Sequence, residues 1–246
     1  MIIMILGMHR SGTSTIAGVL HMNEISMGTY QNFWPRPLKQ NPKGFYENYD
    51  FRKLNDQLLN SSGYDAKSYI PQIPEIQTND ILSNKMKKII EESNLLYSDW
   101  GWKDPRTCLT AFHWVNVINS LGLGNRLKVI FMARRASHVS RSLNKRNNLS
   151  IDQGLELWKS YTERALRFCD ETNFPTYYCS FEQLLDNPVS VCNSLFDFIG
   201  RSWDSEIVEK FIDPSISTSA RGDEIKYPKS ISDLEEKVYS FVKNVQ

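Results

Sequence analysis

The sequence predicts a three-layer α/β fold in which a central, mostly parallel sheet is flanked by helices. Two observations support this prediction. Short apolar runs alternate with longer segments of helical periodicity along the 246-residue chain, which is the pattern of a parallel sheet covered by helices. The first apolar run, Ile2–Leu6, leads into a glycine-containing loop at 7–14 and then into a helix. Because no repeat or linker divides the chain, we expect one domain over residues 1–246.

Five short segments are predicted as strands, and all of them except 24–27 are largely apolar. Ile2–Leu6 and 129–133 are the strongest candidates for inner strands, since every residue in them is apolar. The predicted strands, in chain order, are Ile2–Leu6, 24–27, 100–102, 129–133 and 175–179.

The segments between these strands are predicted as helices because apolar residues recur three or four positions apart. In the segment 151–171, for example, Leu155, Trp158 and Leu166 fall on one face. The predicted helices cover 12–20, 47–59, 79–96, 107–121, 137–145, 151–171, 181–185, 189–199, 205–211 and 231–242, and the proline-containing segments 29–46 and 60–78 are predicted as loops.

Composition and charge exclude several classes of protein. The chain has 29 Lys and Arg residues against 28 Asp and Glu residues, and this net charge of +1 argues against a protein that binds nucleic acid or an anionic membrane. The four cysteines form no C-x-x-C pair and have no histidine at zinc-binding spacing, which indicates free thiols and no metal site. The first apolar run is too short for a signal peptide, and no run is long enough to cross a membrane. We therefore expect a cytoplasmic protein.

The loop at 7–14 has the spacing of a phosphate-binding P-loop, with one informative exception. Gly7 and Gly12 stand at the two glycine positions, but Thr13 occupies the position of the lysine that reaches the β- and γ-phosphates of a nucleoside triphosphate. A glycine loop at a helix N-terminus directs backbone N–H groups at an anion. The loop therefore predicts a phosphate-bearing ligand that is not an ordinary nucleoside triphosphate. It also carries side-chain donors to an anion, which are Arg10, Ser11, Thr13 and Ser14.

A second candidate anion site follows the apolar run 129–133. Arg134 comes directly after this run, and Ser142 stands eight residues later in the next predicted helix. An arginine at the carboxyl end of a strand, beside a helix N-terminus, is well placed to bind an anion. Arg135 and Ser140 are alternatives for the same roles. Because the carboxyl ends of parallel strands meet at one edge of a sheet, we expect this site and the glycine loop to share a crevice.

These two motifs resemble those of the sulfotransferases that use 3′-phosphoadenosine-5′-phosphosulfate (PAPS). The run from His9 to Ser14, H-R-S-G-T-S, is similar to their 5′-phosphosulfate loop, most of all to the arginine-containing loop of the tyrosine sulfotransferases. Arg134 and Ser142 are similar to their 3′-phosphate-binding pair, and Arg221 to the arginine of a late basic loop. The resemblance implies the P-loop NTPase-like sulfotransferase fold, PAPS as co-substrate and no metal. The residues that it assigns to PAPS binding are His9, Arg10, Ser11, Gly12, Thr13, Ser14, Arg134, Ser142 and Arg221.

Two cations are candidates for the chemistry of transfer, which must neutralise the leaving 5′-phosphate and stabilise the sulfuryl oxygens. The resemblance assigns this role to Arg10, in the glycine loop, and to Lys103, at the end of the predicted strand 100–102. Lys103 begins a K-D-P-R run at 103–106 that is similar to a segment of bacterial sulfotransferase-like proteins. In the cytosolic members this region carries a catalytic histidine, which is missing here.

Two carboxylates are candidates for the general base that removes the acceptor proton. Glu47 ends a run similar to an N-P-x-G-[FW]-x-E segment of bacterial members, and it is either the base or an acidic residue in the first turn of a helix. Asp104 is the other candidate base, or else an ion-pair partner of Lys103 or Arg106. The sequence does not decide between these roles.

The sequence thus predicts an enzyme that transfers a sulfuryl group from PAPS to a hydroxyl or amine of a small-molecule, carbohydrate or lipid acceptor. Two alternatives fit the same residues. The first is a P-loop kinase for a small metabolite, with Asp104 as a Mg²⁺ ligand, although Thr13 at the lysine position argues against it. The second is a nucleotide-binding module without catalytic activity. The sequence specifies neither the acceptor nor the oligomeric state.

Overall fold

The computed structural model describes residues 1–38, 41–212 and 225–242. At its centre lie four strands in the order β2–β1–β3–β4. β1 (Ile2–Leu6) pairs with β2 (Trp100–Lys103) on one side and with β3 (Leu127–Ala133) on the other, and β3 pairs with β4 (Thr176–Ser180). Every one of these pairings is parallel. The predicted three-layer α/β architecture is therefore confirmed.

Ten α-helices flank the sheet within the described residues. Each of them follows its predicted segment to within two residues at either end. The helices are α1 (Thr13–Met22), α2 (Tyr49–Ser61), α3 (Asp80–Leu96), α4 (Thr107–Ser120), α5 (Ala136–Asn147), α6 (Ile151–Thr172), α7 (Phe181–Asp186), α8 (Pro188–Ile199), α9 (Ser205–Phe211) and α10 (Lys229–Val242).

The sheet separates two hydrophobic cores because side chains alternate between its faces along each strand. In β1, Met4 and Leu6 belong to the core that includes residues of α2, α4 and α6. Ile3 and Ile5 belong to the core that includes residues of α1, α8 and α9. All five residues of β1 are buried, which explains why this strand is apolar throughout.

The predicted strand at 24–27 is wrong. Among these residues only Ser26 makes a sheet contact, a single parallel bridge to Trp100 at the outer edge of the sheet. Two residues with positive φ flank Ser26, Glu24 (φ 67°) before it and Gly28 (φ 120°) after it. The chain therefore turns away before a longer ladder forms, since a strand needs extended backbone at each residue.

The second helix begins two residues later than predicted, which changes the environment of Glu47. α2 begins at Tyr49 because Asn48 caps it, and the Asn48 side chain accepts a hydrogen bond from the N–H of Asp50 at 3.0 Å. Glu47 precedes this cap and lies outside the first helical turn. Asp50 occupies that turn and interacts with the helix dipole instead.

Three aromatic side chains fix α2 and α4 against β2. The ring of Phe51 stacks on that of Trp102 with centroids 5.0 Å apart, and its centroid lies 4.8 Å from that of Trp114. All three side chains are buried, and burying one such side chain stabilises a fold by about 1.5–3 kcal/mol. This packing holds the start of α2, and with it Glu47, beside the carboxyl end of β2.

The described residues contain neither a helix long and apolar enough to cross a bilayer nor a group of side chains arranged to hold a metal ion. The four cysteines are buried and free. Burial raises the pKa of the Cys108 thiol to about 12 and that of Cys169 to about 11. These thiols are therefore protonated at neutral pH and poor nucleophiles.

Candidate active site

The carboxyl ends of β1, β2 and β3 border a cleft of about 880 Å³. Arg10 follows β1, Lys103 ends β2 and Arg134 follows β3, and all three residues line the cleft. The structure thus brings together three segments that are far apart in the sequence, because neighbouring parallel strands end at the same edge of the sheet.

The loop between β1 and α1 turns at two residues with left-handed backbone, Arg10 (φ 70°) and Gly12 (φ 82°). Between them, Ser11 donates its N–H to the carbonyl of Met8 at 3.1 Å. α1 begins directly afterwards at Thr13, and the first N–H groups of a helix have no partner within the helix. Strained backbone of this kind costs on the order of 1–3 kcal/mol and concentrates at ligand sites. The conformation of Arg10 therefore marks the loop as a functional candidate.

Gly12→Ala is expected to destabilise the protein by about 2–3 kcal/mol. A Cβ atom at this position would lie 2.1 Å from Cδ2 of Phe181, and the φ of 82° is itself unfavourable for alanine. Gly63→Ala is the matched control, because Gly63 has a similar φ of 76° but no heavy atom within 4 Å of a new Cβ. Urea unfolding of both variants measures the difference, and equal losses would show that contact with Phe181 is not what requires glycine.

The two sequence motifs meet at Arg10. Its Nε donates a hydrogen bond to Oγ of Ser142 at 2.8 Å, and its backbone carbonyl accepts one from Nη1 of Arg134 at 2.5 Å. The carbonyl of Arg134 in turn accepts a hydrogen bond from Nε1 of Trp158 at 3.0 Å. The glycine loop, the end of β3 and helix α5 are therefore joined through a short chain of hydrogen bonds.

Burial lowers the pKa of both arginines at this junction. The pKa of Arg134 falls to about 10, chiefly through burial, while the charge of Glu182 opposes the shift and that of Arg10 adds to it. Burial also lowers the pKa of Arg10, and the nearby charge of Arg146 contributes. Both guanidinium groups remain protonated at neutral pH. A bound anion would favour their charged form, because opposite charges at short range stabilise each other.

Glu47 and Lys103 form a buried ion pair at the other side of the cleft. Nζ of Lys103 lies 2.7 Å from Oε1 of Glu47, and it also donates to the carbonyl of Phe45 at 3.2 Å. The two residues are only 7% and 2% exposed. Arg52 approaches the second carboxylate oxygen, with its Nε 3.8 Å from Oε2. Glu47 therefore sits in the wall of the cleft between two cations.

The lining of the cleft is strongly cationic, although the whole chain has a net charge of only +1. Nine Lys and Arg residues line it, whereas Glu47 is the one acidic residue among the described lining residues. A concentration of one sign of charge in a cleft attracts ligands of the opposite sign. The nine cations are Arg10, Lys43, Arg52, Lys67, Lys103, Arg106, Arg134, Lys145 and Arg146.

Comparison with solved structures finds the same fold in two sulfotransferase domains. The domain from the curacin biosynthetic pathway superposes with a TM-score of 0.59 at 14% sequence identity, covering 96% of this chain and 96% of that one. The domain from the olefin synthase of Synechococcus PCC 7002 gives a TM-score of 0.58 at 14% identity, covering 97% and 94%. This is a sulfotransferase fold. No model of a known protein family matches the sequence, and a search of curated proteins found no match.

Within this sulfotransferase fold, the two alternatives to Arg134 and Ser142 are engaged elsewhere. Nη1 of Arg135 lies 2.9 Å from Oε2 of Glu235, and its guanidinium stands 4.0 Å from the ring centroid of Tyr239. Oγ of Ser140 donates to the carbonyl of Ile151 at 2.7 Å. Neither residue lines the cleft, so both serve to fix α5 against α10 and α6.

Asp104 lies beneath the cleft and does not line it. Its Oδ1 accepts a hydrogen bond from Nη1 of Arg106 at 2.5 Å, and its Oδ2 accepts one from Nδ2 of Asn55 at 2.8 Å. Burial by itself would lower the pKa of Arg106, but the negative charges of the surrounding carboxylates, above all Asp104, have the larger effect. The pKa of Arg106 is therefore raised. Asp104 therefore holds Arg106 at the floor of the cleft in its charged form.

Asn55→Ala is expected to destabilise the protein by about 2–4 kcal/mol, because it leaves several buried polar groups without partners. Asn55 has no exposed surface, and its Oδ1 accepts from Oγ1 of Thr110 at 2.6 Å and from Nε1 of Trp114 at 2.8 Å. Asn60→Ala, at an exposed position of the same helix, should change stability by less than about 0.5 kcal/mol. Urea unfolding monitored by tryptophan fluorescence compares the two, and similar values would contradict a network centred on Asn55.

His9 is neutral at neutral pH. Burial lowers its pKa well below the usual value, and the charges of Arg106 and Lys103 lower it further. Its ring contacts Tyr161 edge-on with centroids 5.6 Å apart, and its Nε2 has no hydrogen-bond partner among the described residues. His9 lines the cleft, but its Nε2 is buried.

The remaining predicted residues occupy different positions. Gly12, Thr13 and Ser14 line the cleft, whereas Ser11 is a buried residue of the loop and does not line it. Arg221 lies outside the described residues.

Sequence reasoning missed several cations that line the cleft, because most of them lie on helices and turns away from the motifs and Lys43 fills the variable position of the run 41–47. In the sequence, the basic pair 145–146 in the last turn of α5 is explained by a favourable interaction with the helix dipole. The sequence therefore does not indicate that the pair lies at the cleft. The missed cations are Lys43, Arg52, Lys67, Lys145 and Arg146.

Proposed function

We propose that this protein is a sulfotransferase that transfers a sulfuryl group from PAPS to a hydroxyl or amine of a small-molecule, carbohydrate or lipid acceptor. The observation that carries the proposal is the junction of Arg10, Arg134 and Ser142 at the glycine loop. PAPS differs from most nucleotides in carrying negative charge at both the 3′ and the 5′ position. The cleft offers cationic groups from two neighbouring strand ends, which suits such a ligand.

The proposed donor site uses residues from both motifs. The first N–H groups of α1, the hydroxyls of Thr13 and Ser14, and Arg10 would bind the 5′-phosphosulfate. Arg134 and Ser142 would bind the 3′-phosphate, together with Arg221 if the late basic loop acts as the resemblance implies. The absence of a Cβ at Gly12 lets Phe181 pack directly against the loop.

In the proposed reaction, Glu47 accepts the proton of the acceptor hydroxyl while the acceptor oxygen attacks sulfur. The bond between sulfur and the bridging oxygen of the 5′-phosphate breaks, and 3′-phosphoadenosine-5′-phosphate (PAP) leaves. Arg10 and Lys103 stabilise the charge that develops on the sulfuryl and phosphate oxygens. The ion pair with Lys103 holds the carboxylate of Glu47 in place at the cleft.

Two features favour this reaction over phosphoryl transfer from ATP. Thr13 replaces the lysine that P-loop kinases use at the β- and γ-phosphates. Asp104, which the kinase hypothesis needs as a Mg²⁺ ligand, is hydrogen-bonded to Arg106 and Asn55 and does not line the cleft. We therefore propose Asp104 as a positioning residue for Arg106. The free thiols suit a reducing compartment, which supports the expectation of a cytoplasmic protein.

Thermal unfolding with different nucleotides tests the proposed function. Millimolar PAP should stabilise the protein, by about 2.7 kcal/mol if it is present at 100 times its dissociation constant, and ATP with Mg²⁺ should have a much smaller effect. Stabilisation by ATP with Mg²⁺ but not by PAP would favour the kinase. Incubation with labelled PAPS and sugar, lipid, phenol and peptide acceptors then detects turnover, and PAP binding without turnover of any acceptor would favour the non-catalytic module.

A further inference from the structure

The cleft contains more positive charge than the proposed donor needs. PAPS carries about four negative charges, two of them on the 3′-phosphate, and Arg10, Arg134, Lys103 and the loop N–H groups account for its binding. Arg106 is neutralised by Asp104 and by Asp56, whose Oδ1 lies 2.8 Å from its Nε. Several further cations line the same cleft. One of them contacts the proposed base, and another contacts Phe45, two residues before it.

Arg52 is the first of these two cations. It lies on α2, and its Nε is buried without a hydrogen-bond partner among the described residues. The same atom lies 3.8 Å from Oε2 of Glu47, too far for a hydrogen bond. Leaving a buried donor of a charged group unsatisfied is costly. Arg52 therefore adds a partly exposed positive charge to the cleft beside the carboxylate that would take the acceptor proton.

Arg146 is the second cation. It lies in the last turn of α5, and its guanidinium carbon stands 5.8 Å from the ring centroid of Phe45. The carbonyl of Phe45 accepts a hydrogen bond from Lys103, which is paired with Glu47. Arg52 and Arg146 thus approach the segment that ends in Glu47 from two different helices. Arg146 is exposed, so an entering molecule reaches it before it reaches the base.

We propose that the acceptor is an anionic molecule, with a carboxylate, sulfate ester or phosphate ester that binds to Arg52 and Arg146 while its hydroxyl meets Glu47. This inference rests on the proposed function and adds the substrate class. Two guanidinium groups bind an oxyanion through charge-assisted hydrogen bonds. Lys67, which is exposed on the rim of the same cleft, adds to the attraction of an anion from solution.

Binding to the PAP-saturated protein tests the proposal, because PAP fills the donor half. The probes are 4-nitrophenyl β-D-glucoside, its 6-sulfate, its 6-phosphate and 4-nitrophenyl β-D-glucuronide, which differ only in the charged group. We expect at least one anionic probe to bind about tenfold or more tightly than the neutral glucoside, and the order among the three identifies the oxyanion. Raising the salt concentration should weaken binding of the anionic probes only.

Neutral variants of the two arginines test whether these residues cause the preference for an anionic probe. Arg52→Gln and Arg146→Gln should each remove most of the preference for the anionic probe and raise the KM of an anionic acceptor, while leaving PAP affinity within about threefold. Arg167→Gln is the matched control, because Arg167 is half exposed on α6 and does not line the cleft. A structural role alone would not separate acceptor binding from PAP binding in this way.

The outcomes separate this inference from the function on which it rests. If PAP binds but the protein binds neutral and anionic probes equally tightly, or binds no anionic probe, the proposal of an anionic acceptor is overturned. The proposed donor site is not affected by that result. An unchanged preference in both arginine variants would also overturn it. Failure of PAP itself to bind would contradict the proposed sulfotransferase activity.

Discussion

Glu47→Gln is expected to lower turnover by about 10²- to 10⁴-fold, the usual contribution of a general base, while PAP affinity changes little. The amide has nearly the shape of the carboxylate and still accepts a hydrogen bond from Lys103, but it cannot take a proton from the acceptor. Lys103 is 2% exposed, so loss of its charged partner is also expected to lower stability. Single-turnover rates with labelled PAPS, PAP affinity by calorimetry and thermal unfolding together separate these effects.

Asp104→Asn is the control for the other candidate base. Both oxygens of Asp104 accept hydrogen bonds from buried groups, so this variant should lose stability through Arg106 and Asn55. At a temperature where it remains folded, it should keep more activity than Glu47→Gln. Wild-type turnover in Glu47→Gln would remove Glu47 as the base, and selective loss of turnover in Asp104→Asn would assign that role to Asp104.

Arg134→Gln is expected to weaken PAP binding by about 100-fold, because charge-assisted hydrogen bonds to a phosphate contribute about 1.5–3 kcal/mol each. Arg134 is 6% exposed, and its guanidinium carbon lies 4.5 Å from the ring centroid of Phe181, which limits its movement. Calorimetric titration with PAP measures the loss. Arg135→Gln is the matched control, since that side chain is 46% exposed and pairs with Glu235, and its PAP affinity should stay within about threefold.

Adenosine 5′-monophosphate, which lacks the 3′-phosphate, distinguishes a binding role of Arg134 from a structural one. If Arg134 binds the 3′-phosphate, the wild-type protein prefers PAP to this nucleotide, and Arg134→Gln removes the preference by weakening PAP alone. Equal weakening of both nucleotides would instead show that Arg134 acts by supporting the carbonyl of Arg10. That result would contradict the assignment of a 3′-phosphate site.

Local patterns in the sequence predicted the elements of the fold. β1 is apolar at every position because helices cover both of its faces, and this makes it recognisable without a structure. The segment 24–27 is wrong as a strand although its apolar residues, Ile25 and Met27, are buried, since it makes only one bridge and lies between two residues with positive φ. Apolar residues in a segment predict that it is buried. Pairing with a neighbouring strand also requires an extended backbone at each residue.

The sequence by itself determined the α/β fold, the glycine loop and the cations at the ends of β1, β2 and β3, because strand order along the chain and local spacing encode them. Only the tertiary structure decided which groups meet. Arg10 reaches Ser142 across 132 positions, and Lys103 reaches Glu47 across 56. Such contacts depend on how helices pack against the sheet, which local periodicity does not specify. The same packing brings Arg52 beside Glu47 and Arg146 beside Phe45, although neither charge stands out in the sequence.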